Sequence, residues 1–459
     1  MKQIIILIFI SAVTTSFSQR DFAKDSTMIR NIFNESLEKG HAYEDLRSLC
    51  KDVGARISGS ASAEMAIHWG KNKLESYNFD KVYLQEIMVP HWVRGTKEEG
   101  WYKTPDDKLH KVNMLALGGS VGTNGTMSGE IIMFQNREEL QEADPAKVKG
   151  KIVFIAQPMD QKMINSFRAY GACYPIRGHG AVDAAKKGAI GVIIRSLSLS
   201  EHDHAHTGTM KYEDGVKKIP AAAISTNDAT TLEKIIKNTN GTLDFIFEMN
   251  CEKLPDVKSY NVIGEVTGSV HPDRIITIGG HLDSWDVGEG AHDDGAGIVH
   301  SMEAVRLLLS QKYKPKHTLR VVFFMNEENG NMGGKSYAKI AAEKKEYHVA
   351  AIESDRGGFS PRGFDCDGNE ENVLLLQSFA DYFEPYFLHH FKKGYGGVDI
   401  GPLKDEYENI ALFGFVPDSQ RYFDFHHNHN DVFENVNRRE LHLGAASIAS
   451  LIYLLDNYL

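Results

Sequence analysis

Hydrophobic positions recur first at helical spacing, then as short strands between glycine turns, and last as buried runs alternating with helices. From about Asp21 to Asn113 the pattern is helical and then extended. Ala63 to Tyr77 carries Met65, Ala66, Trp69 and Leu74 near helical spacing, and Val82-Tyr83-Leu84 follows as a strand. From about Met114 to Cys251 the texture changes. Lys151-Ile152-Val153-Phe154-Ile155 reads as a buried strand and Ala181 to Lys187 as a short helix stopped at Gly188. Gly191-Val192-Ile193-Ile194 and Ile219 to Ile224 read as further strands. From about Ser259 onward the spacing suits βαβ units: a strand over Ile275 to Ile278, a helix over Ile298 to Leu309, a strand over Leu319 to Met325. A wholly apolar strand such as Val321-Val322-Phe323-Phe324 is what a parallel sheet covered on both faces requires. The closing helix is predicted over Arg438 to Tyr458. Asn437 and Glu440 are spaced as a capping box, and Leu441, Ile448, Leu451, Ile452 and Leu455 form its core stripe.

The N-terminus follows a different logic. Lys2 precedes an apolar run from Ile4 to Val13, and Ser16-Phe17-Ser18 places small residues before Gln19. That order predicts a secretory signal peptide over residues 1–18 and an exported mature chain, periplasmic or secreted. The run is too short to span a bilayer, and no cysteine follows it to carry a lipid. No later segment approaches ~18 uninterrupted apolar residues, so no membrane span is expected.

Composition narrows the function. With 42% hydrophobic and 25% charged residues, the 459-residue chain has the balance of a folded soluble protein. Its 51 Lys and Arg against 62 Asp and Glu give a net charge of −11, which disfavours a nucleic-acid partner. Four cysteines cannot frame so long a chain, and none lies in a CxxC pair that would hold zinc. Export permits disulfides among Cys50, Cys173, Cys251 and Cys366, and buried thiols fit equally. Twenty histidines are more suggestive, because imidazole both ligates metals and shuttles protons near neutrality.

The candidate chemistry gathers at strand ends of the last stretch. Ile275 to Gly280 runs straight into His281-Leu282-Asp283, and residues i and i+2 of an extended chain share a face. A carboxylate beside a ligand imidazole fixes its tautomer. Gly290-Ala291-His292-Asp293-Asp294-Gly295-Ala296-Gly297 sets two carboxylates among small residues where a helix begins, which also suits a helix cap. Leu319 to Met325 ends in Asn326-Glu327-Glu328. Adjacent side chains at a strand tip point different ways, so one carboxylate can ligate a cation while the other stays free as a base. Val349 to Ile352 leads to Glu353-Ser354-Asp355, and Phe423 to Asp431 packs His426, His427 and His429 into a loop before the last helix. Each cluster alone is weak. Together they fall where open α/β sheets place their ligand crevice, and histidines with carboxylates and no thiolate describe a two-cation hydrolytic site.

The series His281-x-Asp283, Asp293-Asp294, Glu327-Glu328, Asp355, and His427 four residues before Asp431 resembles peptidase family M28, a family of zinc peptidases. The likeness extends over nearly the whole mature chain. It includes Gly54-Ala55-Arg56-Ile57-Ser58-Gly59-Ser60, Val89-Pro90-His91-Trp92-Val93-Arg94-Gly95 and Gly397-Val398-Asp399-Ile400-Gly401-Pro402-Leu403. Val148 to Val153 and Gly188 to Ile194 look like parts of a protease-associated domain.

The resemblance implies an α/β fold of zinc-exopeptidase type: a mixed, mostly parallel sheet covered by helices, interrupted by a β-rich protease-associated insert. The expected boundaries are 19–113 and 252–459 for the catalytic domain and 114–251 for the insert. It implies two Zn2+ per chain, with manganese or cobalt also accepted by such ligands. Asp293 would bridge them, joined to Asp294 by a cis peptide. His281 and Asp355 would complete one metal site, Glu328 and His427 the other. Asp283 would orient His281, and Glu327 would take the proton of the water between the metals and pass it to the departing amine. His427 is chosen over His426 and His429 because its spacing to Asp431 matches the family's His-x-x-x-Asp. The implied activity is exopeptidase action on dipeptides or short peptides with free termini. Alternatives are an aminopeptidase on longer peptides or a non-catalytic binding module. A homodimer is also implied. His202-Asp203-His204-Ala205-His206 in the middle stretch reads as a polar loop bordering the cleft rather than a further metal site.

Overall fold

The computed structural model describes residues 20–239 and 243–459, so the expected leader over residues 1–18 lies outside the described residues. Two eight-stranded sheets organise the chain. In the first, the strands His317–Phe324, His271–His281, Tyr347–Glu353 and Ala411–Pro417 lie side by side and parallel. Glu252–Val266 and then Lys81–Val93 extend it by antiparallel pairing on one side; on the other Pro361–Asp367 pairs antiparallel and His390–Lys393 adds parallel to it. The expected mixed, mostly parallel sheet is therefore present.

Its strands are apolar on both faces because both are covered. Val321 and Phe323 enter one core with Ile276, Ile278 and Ile352, whereas Val322 and Phe324 enter the opposite one with Ile263, Ala351 and Leu412. That is period-two alternation with no polar side. The closing helix, Arg438–Tyr458, packs on the helix Ala296–Ser310 against the first core. Asn437 caps it by accepting from the amides of Arg439 and Glu440. Glu440 does not complete a capping box; it accepts a hydrogen bond from the Ser360 hydroxyl at 2.6 Å instead.

Lys81–Val93 pairs with Glu252–Val266 from Lys81 opposite Glu265 to Val93 opposite Glu252, so the chain leaves this sheet and returns to it at one place. Between them runs the second sheet. It begins at Glu98, ahead of the boundary expected at Met114, because Glu98–Lys103 and Leu109–Val112 pair into it beside Asp244–Met249. The half-exposed alternation of Glu98–Lys103 suits either sheet, and only its distant partner decides. The second sheet also carries helices, among them Pro175–Lys186 and Thr226–Asn238, so it is α/β rather than simply β-rich. All four cysteines are buried free thiols. No described helix is long and apolar enough to cross a membrane.

One core histidine makes the fold acid-sensitive. His300 is fully buried, with Nε2–H donating to the Leu441 carbonyl at 3.1 Å and Nδ1 accepting from the Ser354 hydroxyl at 3.0 Å. Burial holds its pKa down at about 3, against about 6.5 in an unfolded chain. Below that value the unfolded state binds a proton that the folded state refuses. Stability therefore falls as pH drops from about 6.5 towards 3, by up to about 1.4 kcal/mol per pH unit from this group. Urea unfolding between about pH 6 and pH 4 should show a slope shallower by about that amount in His300→Gln than in wild type. Equal slopes would refute the assignment.

Candidate metal centre

The strand ends of the first sheet deliver the acidic and histidine residues to one place. His281 closes its strand beside Phe324, and Glu327 and Glu328 follow the strand that Phe324 ends. Asp355 lies two residues past the strand Tyr347–Glu353. Asp293 and Asp294, joined by a cis peptide bond, sit in the turn before the helix Ala296–Ser310. His427 follows the short helix Tyr422–Phe425 in a left-handed conformation, φ 64°.

Asp293 is the common member of two groups. Its Oδ1 lies 3.2 Å from His281 Nε2, which is also 3.4 Å from Asp355 Oδ1. Its Oδ2 lies 3.2 Å from His427 Nε2, which is 3.1 Å from Glu328 Oε2. His426 stacks on His427 and reaches Asp293 only at 3.7 Å, and His429 is exposed. His281, Asp293 and Asp355 form one group whose ligand atoms all lie within 4.8 Å, and Asp293, His426 and His427 form another.

The remaining carboxylates hold backbone rather than one another. Asp294 accepts from the amide of His281 at 3.1 Å and from that of Gly297 at 3.0 Å, so it caps the helix while pinning the strand end. Gly280 and Gly297 let it approach; a Cβ on either would stand within 2.3 Å of its carboxylate. Asp431 accepts from the amides of His292 at 2.6 Å and Asp293 at 3.1 Å. Glu353 accepts from Val398, Asp399 and Ile400 at 2.7–2.9 Å. Arg56 is buried and gives its guanidinium to the carbonyls of Leu282, Glu289 and Gly290, which fastens the loop between His281 and Asp293. Neither Arg56 nor Glu353 was assigned a role from sequence.

Asp283 meets His281 through its main chain. Its backbone carbonyl, not its carboxylate, accepts the His281 Nδ1–H at 2.9 Å; the carboxylate lies 3.8 Å from that nitrogen. The carboxylate instead accepts from the amides of Asn326 at 2.6 Å and Glu327 at 3.1 Å, and so fixes the strand tip that carries Glu327 and Glu328. The i, i+2 rule places both side chains on one side but does not say which oxygen turns to the ring.

Divalent cations fit this donor set. With Nδ1–H committed to a carbonyl, His281 turns Nε2 to the oxygens of Asp293 and Asp355; burial opposes charge on the ring, yet these carboxylates raise its pKa well above the ordinary value, and a divalent cation would take the place of the Nε2 proton between them. Asp293 Oδ2 and Glu328 Oε1 are buried and accept no hydrogen bond among the described residues. Asp283, Asp293, Asp294, Glu328, Glu353, Asp399 and Asp431 are all buried, and burying carboxylates together without cations is costly. Burial pushes Glu328 and Glu353 up to about 7 and Glu327 well above the carboxylate range. Burial opposes charge on His427, but Glu328 and Asp293 raise it to about 9. Burial also opposes charge on Asp293, yet His281 and His427 against it keep its pKa well below the ordinary value. The set is anionic, without thiolate, and shared by two histidines, which suits borderline divalent metals.

Around this centre opens a cleft of about 910 Å³ lined from both sheets. The first sheet's side gives Asp293, Glu327, Glu328, Asp355, His426 and His427, and the insert gives Tyr170, Tyr174 and Arg177. The Glu327 carboxylate opens into it with no hydrogen bond among the described residues. The polar histidine loop of the insert reaches the cleft-lining segment: His206 is buried and bonds to the carbonyl of His426.

Residues 261–452 match the family model described as Peptidase family M28. The chain is 33% identical over 418 residues to carboxypeptidase Q from Bos taurus, covering 91% of this chain and 85% of that protein. Among solved structures it resembles a peptidase M28 precursor from Shewanella amazonensis SB2B, with TM-score 0.90, 33% identity, and 95% and 97% of the two chains covered. It also shares its fold with BSAP, a zinc aminopeptidase from Bacillus subtilis, with TM-score 0.64, 19% identity, and 91% and 95% covered.

Proposed function

The chain belongs to peptidase family M28, a metallo-exopeptidase, and on that premise we propose that it is an exported dizinc enzyme hydrolysing dipeptides or short peptides with free termini. The observation that carries this reading is Asp293 presenting one oxygen to each of two histidines, each of which faces a further carboxylate. His281, Asp293 and Asp355 would hold one ion, and Asp293, Glu328 and His427 the other. Zinc suits these donors, and BSAP is a zinc aminopeptidase on the same fold. Bound divalent ions lower the pKa of water and polarise a peptide carbonyl.

The chain's own residues do the rest. Glu327, whose carboxylate lines the cleft, accepts the proton of the attacking water and returns it to the leaving amine nitrogen. Asp283 fixes Glu327 in place through its amide, and Asp431 and Arg56 fix Asp293 and the loop before it. The insert walls off the opposite side of the cleft and belongs, in this reading, to the protease-associated type.

Metal analysis of the purified mature protein together with a dipeptide library tests the proposal. Two divalent ions per chain and faster turnover of free dipeptides than of tetrapeptides are expected. Tetrapeptide turnover equal or greater would favour an aminopeptidase of longer peptides. Two bound ions without any hydrolysis would favour a binding module.

A further inference from the structure

His427 sits in a backbone conformation that a non-glycine residue rarely adopts unaided. Its own short helix ends two residues earlier, and the segment is held from the insert. His206 Nδ1 lies 2.7 Å from the His426 carbonyl, and the Thr207 amide donates to the His427 carbonyl at 3.0 Å. The Thr207 carbonyl faces His427 Nδ1 at 3.4 Å, on the ring edge away from Asp293 and Glu328.

The hydrogen bonds fix the tautomers of His206 and His202. A carbonyl accepts only, so His206 carries its proton on Nδ1 and accepts at Nε2. Asn428 Nδ2 donates to that Nε2 at 3.0 Å and to the Asp424 carbonyl at 2.8 Å. His202 accepts the His204 amide at Nδ1, 3.2 Å away, and so carries its proton on Nε2, 3.2 Å from His206 Nε2. The relay runs from the His204 amide through two imidazoles to the backbone of the ligand loop. All the acceptor and donor positions along it are used, which leaves no lone pair for a metal of its own.

We propose that His206 is a positioning residue: the insert reaches across the cleft through it and holds His427 in the orientation that binds a metal ion. This rests on the two-metal reading above, with His427 as a ligand. Loss of such a support weakens the dependent ion about 10- to 100-fold and leaves the ion of His281 and Asp355 untouched.

The test compares wild type, His206→Ala, His206→Asn, Asn428→Ala and His204→Ala by zinc titration against a chromophoric chelator and by thermal melting. His206→Ala should weaken one of two ions by about 10- to 100-fold and spare the other. His206→Asn, which keeps an N–H near the Nδ1 position, should restore most of the loss. Asn428→Ala should weaken the same ion less, and it carries the test if His206→Ala does not fold. His204→Ala keeps its amide and should match wild type. Two unchanged ions in a folded His206→Ala, equal weakening of both, or no recovery in His206→Asn would overturn the proposal. A wild type holding fewer than two ions would instead overturn the two-metal reading on which it rests.

Discussion

Replacing Asp293 with alanine is expected to strip both metal ions and reduce peptide hydrolysis to background. The reason is geometric. Asp293 offers Oδ1 to the group containing His281 and Asp355, and Oδ2 to the group containing His427 and Glu328. Among the described residues no other side chain stands in both. Alanine leaves each half with one histidine and one carboxylate, too few to close a site for a divalent ion. Each affinity should fall by more than about 100-fold, beyond the loss seen when only a supporting residue is removed. The fold should survive, because Asp431 holds the amides of residues 292 and 293 and Asp294 holds the strand and helix, none of which uses the Asp293 side chain. Asp355→Ala is the informative contrast: it should lose the ion of its own half alone. Chelator competition with circular dichroism as the check on folding measures both. Retention of one ion at full affinity in Asp293→Ala would show that the two groups are independent.

The parts of this centre that were legible in sequence share a physical signature. Ile275 to Gly280, Leu319 to Met325 and Val349 to Ile352 are largely apolar because each strand is covered on both faces, and each runs within two residues into His or acidic residues. A buried strand that runs into charge marks the edge of a sheet, where a crevice can form. What stayed illegible depends on backbone atoms that no residue type announces. Arg56, Glu353 and Asp431 bind carbonyls or amides of loops far away in the chain. Asp283 serves His281 through a carbonyl that any residue would possess. The burial of His206 is not legible because nothing local shows that it meets the segment of His426 and His427. The start of the second sheet at Glu98 is hidden for a related reason: Glu98–Lys103 has its partner in Asp244–Met249, and cross-strand pairing at that separation leaves no mark in the spacing.

Glu327→Gln is expected to cut kcat by about 100- to 10,000-fold, the usual contribution of a positioned base, while metal content stays at the wild-type level. Glu327 and Glu328 are neighbours on one strand tip, yet their surroundings differ. Glu328 is buried against His427 at 3.1 Å, whereas Glu327 faces the cleft and bonds to no imidazole. Glutamine matches the size of glutamate but cannot accept and return a proton at neutral pH. Its backbone N–H still donates to the Asp283 carboxylate, since that contact does not involve the side chain. KM should therefore change little. Glu328→Gln should do the opposite, losing the ion shared with His427 and recovering activity only when metal is added in excess. Steady-state kinetics on a dipeptide, with metal analysis of the same samples, separates the two neighbours. If Glu327→Gln lost an ion, or kept kcat within about tenfold, the proton would have to travel by another group. Glu353 would not serve as that group, because its carboxylate is committed to three backbone amides.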